Sequence, residues 1–488
     1  MSKNTPIINA LKKYIDEAVI RFHMPGHKGT AFSTQALVEL LGSRVFQVDV
    51  TNVPGMDDLH QVHGIIKESQ QLAAQTYGAD NTYFLVNGSS SGLQALIMAT
   101  CNPGDKILVP RNMHRSILSG IILSGAIPVF YLPEYNNDYK LLLGTPPETI
   151  KHYLNQVPDI KAIMLVNPTY YGITSDIGAI AEIAHTYNVP LLIDEAHGPH
   201  LAFHQELPGS SLTYGADATV HGSHKILPAF TQASMLHLKG QRVNHERVEA
   251  ALRILQSTST SYLLLASLEG ARAFMEELGQ AVLQDALDKA SYVRQAVNKI
   301  DGYTSFGQEI IGKPSVFGLD LTKVTINVTN LGISGTWAES FLRKEHNIQV
   351  EMSDLYNLLL IVGAANTYQQ LDHFINALKD MANHRPDYSK TIALINSINA
   401  VCNLPELVIS PREAFAAPKV AIPLEQSAGR ISSEIVACYP PGIPIICPGE
   451  EITDEIINYL VAMREVGVHF QGCNDPSLQT IGVISMAV

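Results

Sequence analysis

Beyond about residue 60 the chain alternates short apolar runs with helix-length segments, and this rhythm limits the folds open to it. The runs are "TYFLVN", "KILVP", "PVFYL", "AIMLVNP", "LLID", "ATVHG" and "ASMLHL"; segments such as "SGLQALIMAT" and "IGAIAEIAHTYN" separate most of them. Strands that alternate with helices build a parallel sheet covered on both faces. A composition of 46% apolar and 16% charged residues suits strands buried on both sides. One connection breaks the rhythm. Only about ten residues join "ATVHG" to "ASMLHL", and a parallel crossover takes about a dozen or more. The last strand is therefore expected to be antiparallel. That short link, "HGSHKILPAF" (His221–Phe230), places Lys225 directly after His224. The expected class is α/β, with about seven mostly parallel strands.

At 488 residues the chain exceeds one ordinary core. Ile8, Leu11, Ile15 and Val19 recur at helical spacing within residues 1–20, and the loop "FHMPGHKG" (Phe22–Gly29) follows. Its His23 and His27 either approach a site mouth or pin the first helix. Texture divides the chain into an N-terminal helix and linker (1–58), a large domain (59–302), a small α/β domain (303–385) and a C-terminal α+β domain (386–488), with a polar linker at "MANHRPDYSK". The net charge of −13 argues against nucleic-acid binding and suits a small cationic substrate. The five cysteines show no CxxC pair, so no metal site is expected, and an odd dispersed set fits a cytoplasmic protein. The polar N-terminus and the lack of a long apolar run predict no signal peptide and no membrane span.

Four features fall near the carboxyl ends of the predicted strands, where ligands of open α/β sheets sit. "NGSSSG" puts Ser89, Ser90 and Ser91 at a helix start, a phosphate cradle in form, or else a serine-rich cap. "IDEAHG" ends a strand with Asp194, which serves a cationic partner, a cap or a metal; His197, three residues on, has no third ligand at useful spacing. His114 follows the strand "KILVP". Lys225 lies between two buried strands, where burial turns an amine into a nucleophile towards aldehydes. Together these describe a pocket for pyridoxal 5′-phosphate: serines for the phosphate, Asp194 for the pyridine nitrogen, His114 for the ring face and Lys225 for the aldehyde.

The chain resembles the Orn/Lys/Arg decarboxylases of the aspartate-aminotransferase-like fold (PLP fold type I), in the short form without a wing domain. The motifs are "FHMPGHKG", "NGSSSGLQA", "PRNMHRS", "NPTYYGI", "DEAHGPH", "SHKILPAFTQASMLHL", "QSTSTSYLLLASLEGAR" and "YPPGIPIICPGE", in order along nearly the whole chain. The resemblance implies that Lys225 bonds the cofactor with His224 beside it. Asp194 then pairs with the ring nitrogen, Ala196 packs under the ring and His114 stacks on it. Ser89, Ser90, Ser91 and Ser223 hold the phosphate, and His197 joins the cofactor set. Thr258 reaches the phosphate across a dimer interface, giving a homodimer or a higher homo-oligomer of dimers. Four positions depart from the family: Gly222-Ser223 where Ser-Thr is usual, which removes one phosphate hydroxyl, Thr260 where Pro is common, and Cys438 where Pro or a small residue precedes "YPPGIP".

The implied reaction is decarboxylation of a basic L-amino acid, arginine before lysine before ornithine, to carbon dioxide and agmatine or a diamine. Lys225 or His224 then returns a proton to the α-carbon. A decarboxylase must not clamp the α-carboxylate with an arginine, and neither Arg412 nor Arg430 lies in a motif for that role. Glu434 and Glu450 are the expected acidic receivers for the substrate's cationic end. Two rivals stand beside this reading: another reaction of the fold, such as transamination or elimination, and a non-catalytic PLP-binding relative.

Overall fold

The computed structural model describes residues 5–386, 403–439, 442–465 and 467–485. The expected linker beyond residue 386 and residues 440 and 441 of "YPPGIP" lie outside them. The principal elements begin with α1 (Pro6–Asp16), α2 (Ile65–Tyr77), β1 (Asn81–Leu85), α3 (Gly88–Thr100), β2 (Lys106–Pro110), α4 (Arg115–Ser124), β3 (Ile127–Tyr131), β4 (Ile160–Val166), α5 (Ile177–Thr186) and β5 (Leu191–Asp194). There follow β6 (Ala218–His221), the one-turn α6 (Ser223–Ile226), β7 (Ser234–Leu238), α7 (His245–Leu255) and the long α8 (Tyr262–Val297).

The seven expected runs are all strands of one mixed sheet, ordered β1-β7-β6-β5-β4-β2-β3. The pairs β2–β3, β2–β4 and β5–β6 are parallel. Strand β7 runs antiparallel to both β6 and β1, as the short link requires. The link is not wholly irregular: it coils into α6, and Lys225 sits on that turn. The helical region after residue 245 breaks into α7 and α8. The first helix stops at Asp16, because Ala18 adopts a left-handed φ of 51°. Val19, expected on its apolar face, is therefore exposed.

The chain forms two compact units that interleave in sequence. The first comprises Met1–Thr100, Leu192–Gln205 and Gly209–Gln280; the second comprises Cys101–Leu191, Glu206–Pro208 and Ala281–Val488. In the first, Ile7, Leu11, Ile66, Tyr77, Phe84, Met235, Tyr262 and Leu265 share one core. Helix α3 lies close to its strands because Gly92 has no side chain. A Cβ there would stand 2.7 Å from Leu85 Cδ1 and 3.0 Å from Val220 Cγ1.

The second unit adds several small sheets with helices. Strands β8 (Lys323–Asn327), β9 (Met352–Ser353) and β10 (Asn357–Ile361) pair antiparallel in the order β8-β10-β9, with α9 (Gly335–His346) and α10 (Tyr368–His384). The C-terminal part holds β11 (Lys419–Pro423), β12 (Val436–Tyr439), β13 (Ile443–Ile446), α11 (Asp454–Glu465), β14 (His469–Gln471) and β15 (Thr480–Ile484). Its core gathers Leu424, Val436, Ile446, Ile456, Leu460, Phe470 and Ile481. Among the described residues, no helix is long and apolar enough to cross a membrane.

Candidate active site

Two backbone segments of the first unit run side by side at the carboxyl ends of β5 and β6. Glu195 N donates to Val220 O at 3.0 Å and Gly222 N donates to Ala196 O at 3.2 Å, continuing the parallel ladder past the strands. This registers the Asp194–His197 loop against the turn that carries Lys225. The result is a close side-chain pair, Lys225 Nζ to His197 Nε2 at 2.9 Å. Close approach of the loops needs Gly222, since a Cβ there would lie 2.8 Å from Ala196 O and 3.1 Å from Lys225 Cδ.

Asp194 is buried, 4% exposed, and its Oδ1 accepts from Ala196 N at 3.2 Å. Ala196 and His197 are buried beside it. His224 is half-buried, and its Nδ1 lies 3.0 Å from Ala233 O. A carbonyl only accepts, so Nδ1 carries the hydrogen and Nε2 is the open base in the neutral ring. Burial first, then the charge of Lys225, lowers its pKa below 6.5, against the raising effect of that carbonyl.

Ser89, Ser90 and Ser91 stand in the first turn of α3, where backbone N–H groups have no partner within the helix. Ser91 Oγ donates to Gly88 O at 2.8 Å, while Ser89 and Ser90 are half-buried. Ser223 is fully buried, and its Oγ has no hydrogen-bond partner among the described residues. Thr258 is exposed in the link between α7 and α8.

In the second unit His114 caps α4: its Nδ1 accepts from Ser116 N at 3.3 Å and lies 2.7 Å from Ser116 Oγ. Glu450 is fully buried, and its oxygens hold Arg111 Nη1 and Nη2 at 2.6 and 2.8 Å. Arg111 also donates to the carbonyls of Pro444 and Ile445. Glu434, 7% exposed, accepts from Gly482 N at 2.8 Å and Asn474 N at 3.0 Å. Arg412 donates to the carbonyls of Ile122 and Leu123, and Arg430 to that of Ile484. His23 Nε2 lies 2.6 Å from Tyr14 Oη of α1, and His27 Nε2 lies 3.1 Å from Asp49 Oδ2. Among the described residues, no group of three His, Cys, Asp or Glu side chains is placed to hold a metal ion.

Sequence reasoning passed over Glu195 and His221. Glu195 accepts from His221, Ser210 and Ser211, all deep in the core. For His221 the available signal was a histidine inside the apolar run "ATVHG", as His237 is inside "ASMLHL"; Glu195 lies outside both runs.

The chain matches the family model "Orn/Lys/Arg decarboxylase, major domain" over residues 5–370 and the corresponding C-terminal domain over residues 394–480. It is 40% identical over 480 residues to the arginine decarboxylase of Bacillus subtilis (strain 168), covering 98% of each chain. To the lysine decarboxylase of Hafnia alvei it is 27% identical over 564 residues, covering 96% of this chain and 76% of that one. The solved lysine decarboxylase of Francisella novicida shares the fold with a TM-score of 0.85 at 24% identity, over 99% of this chain and 81% of the other. The architecture is PLP fold type I. With motifs, fold and full-length likeness in agreement, this chain belongs to the Orn/Lys/Arg decarboxylase family.

Proposed function

We propose that the protein is a carboxy-lyase that converts L-arginine to agmatine and carbon dioxide with pyridoxal 5′-phosphate, as a cytoplasmic homodimer or an assembly of dimers. The observation that carries this is the lysine of the β6–β7 link held 2.9 Å from a histidine of the Asp194 loop. The residues present fit the cofactor. Ser223 Oγ is a buried hydroxyl without a partner among the described residues, and the first turn of α3 offers N–H groups and two half-buried serines to an anion. Substrate choice rests on the likeness to an arginine decarboxylase at 40% identity, with lysine and ornithine as lesser alternatives.

When bound, the cofactor supplies an aldehyde for a primary amine and a ring that accepts the electron pair left by carbon dioxide. The chain does the rest. Asp194 places a buried negative charge that favours a protonated ring nitrogen. His197 Nε2, 2.9 Å from Lys225 Nζ, holds the amine that attacks the aldehyde; only a neutral amine is nucleophilic. His224, kept neutral by burial, presents Nε2 as a base, so Lys225 is the better source of the proton returned to the α-carbon. His114 is assigned to stacking, Ala196 to packing under the ring, and Thr258 to the phosphate of the partner subunit's site. Glu434 is the preferred receiver of the guanidinium: two backbone amides hold it, whereas Arg111 neutralises Glu450.

The test is product analysis with arginine, lysine and ornithine, together with borohydride reduction and peptide mapping. Carbon dioxide and agmatine, a cofactor fixed to Lys225 and loss of turnover in Lys225→Ala are expected. A keto acid product, or normal turnover in that variant, refutes the proposal.

A further inference from the structure

A line of polar side chains crosses the core of the first unit, at right angles to four neighbouring strands. It starts at Thr82 of β1, passes His237 of β7 and His221 at the end of β6, and finishes at Glu195, the residue after β5. The separations are 2.7 Å from Thr82 Oγ1 to His237 Nδ1, 3.1 Å from His237 Nε2 to His221 Nδ1, and 2.8 Å from His221 Nε2 to Glu195 Oε2. Thr82 is 4% exposed and the other three are 0% exposed. Glu195 also accepts from Ser211 N and Oγ at 2.7 Å each, and from Ser210 Oγ at 3.2 Å. Tyr77 seals the line, its ring 5.0 Å from that of His221 and 4.7 Å from that of His237. Its hydroxyl donates to Pro199 O at 3.2 Å, gripping the far end of the Asp194 loop.

The polarity of the line follows from donor counting. An ionised carboxylate only accepts, so His221 Nε2 carries a hydrogen. A neutral His221 then accepts at Nδ1 from His237 Nε2–H, and His237 accepts at Nδ1 from the threonine hydroxyl. Every hydrogen has one acceptor in this arrangement. The reverse arrangement needs an imidazolium or a proton on Glu195, which already accepts from Ser211 N, and it leaves the Thr82 hydroxyl hydrogen without an acceptor in the line. Burial, and after it His221, also lowers the pKa of His237 well below 6.5, which favours the neutral ring.

Why does so polar a line persist in an apolar sheet? Its ends answer. Glu195 adjoins Asp194, and His221 is separated from Lys225 by three residues. We infer that Thr82, His237, His221 and Glu195 form a one-way hydrogen-bond relay that positions the Asp194 loop and the Lys225 turn relative to each other. The four are positioning residues; none needs to touch the reacting atoms. The inference deepens the proposed function and rests on it for the roles of Asp194 and Lys225.

Neutron diffraction from the deuterium-exchanged holoenzyme reads the relay directly. Deuterium is expected on Nε2, and not on Nδ1, of both His221 and His237. Glu195→Gln turns an acceptor towards His221 into an amide donor, so both rings should switch to the Nδ1 form. In that variant kcat should fall on the order of tenfold, as for slightly misplaced catalytic groups, with KM for arginine little changed. Should Glu195→Gln fold poorly, Thr82→Val removes the first donor and keeps the shape; it should change the visible absorption of the bound cofactor, the melting temperature staying within a few degrees. Deuterium on Nδ1 of either ring in the wild type overturns the relay. Unchanged kcat and unchanged absorption in both variants overturns the positioning role. A protein that binds no pyridoxal 5′-phosphate sinks the proposed function instead, while the diffraction result still judges the relay.

Discussion

Glu434 and Glu450 are both buried carboxylates of the C-terminal part, yet their charges are met differently. Arg111 clasps Glu450 through two nitrogens and is itself fully enclosed, so removing the carboxylate strands a buried guanidinium. Glu450→Ala is expected to cost about 3–5 kcal/mol of stability, visible as a large fall in melting temperature. The Glu434 carboxylate accepts from two backbone N–H groups, those of Asn474 and Gly482. If it receives the guanidinium, Glu434→Gln should raise KM for arginine on the order of tenfold, by loss of a charged hydrogen bond, with kcat per folded site nearly kept. Equal KM in variant and wild type would remove Glu434 from the substrate site. Gly222 makes a second point at this scale. Its departure from the family's serine reads as a missing phosphate hydroxyl when only residue types are visible. The structure supplies a steric reason: a Cβ would press on Ala196 O. Gly222→Ser should therefore cost about 1–3 kcal/mol as overpacking, and should weaken cofactor binding in an absorbance titration instead of improving it. The letter at position 222 was legible, but the carbonyl opposite it, 26 residues earlier in the chain, was not.

Elements were more legible than their ends. Apolar runs marked all seven strands because strands buried on both faces need no alternation, and the short link fixed the direction of β7 through chain reach alone. Helix ends depend on single residues and remote partners. For α1 the cap is remote: Thr5 makes no side-chain cap bond, and Glu269 of α8 accepts from Ile7 N at 3.0 Å and from Ile8 N at 2.8 Å. A carboxylate 262 residues away thus does what an N-cap side chain does elsewhere, and nothing in the local sequence announces it. Glu269→Ala should cost about 1–2 kcal/mol and raise amide hydrogen exchange across residues 6–16, by leaving two helix N–H groups unpaired. Exchange unchanged over α1 would mean that its apolar contacts alone seat it.

At the scale of the whole molecule, the order of strands decides which distant residues become neighbours, and crossover lengths do not encode that order. Asp194 and Lys225 could be placed at strand ends from sequence, since each follows its own run. The Thr82–Glu195 line could not, because it exists only when β1, β7, β6 and β5 lie side by side. Its energetic consequence belongs to folding as a whole. His237 is neutral in the fold, with its pKa driven well below 6.5 by burial and then by His221, while the unfolded chain takes up a proton near 6.5. The unfolded state therefore binds more protons as the pH falls, and stability present above that value is lost below it. His224 acts in the same direction. Glu269 and Asp354, whose carboxyls burial pushes up, act in the opposite one. The share of His237 is read as a difference: between about pH 7.5 and 5.5, wild-type stability should fall more steeply than that of His237→Gln, by up to about 1.4 kcal/mol per pH unit. Denaturant titrations at both pH values measure it. Equal slopes in the two proteins would mean that the buried ring already carries a second proton, on Nδ1, in the folded state, which the direction of the relay forbids.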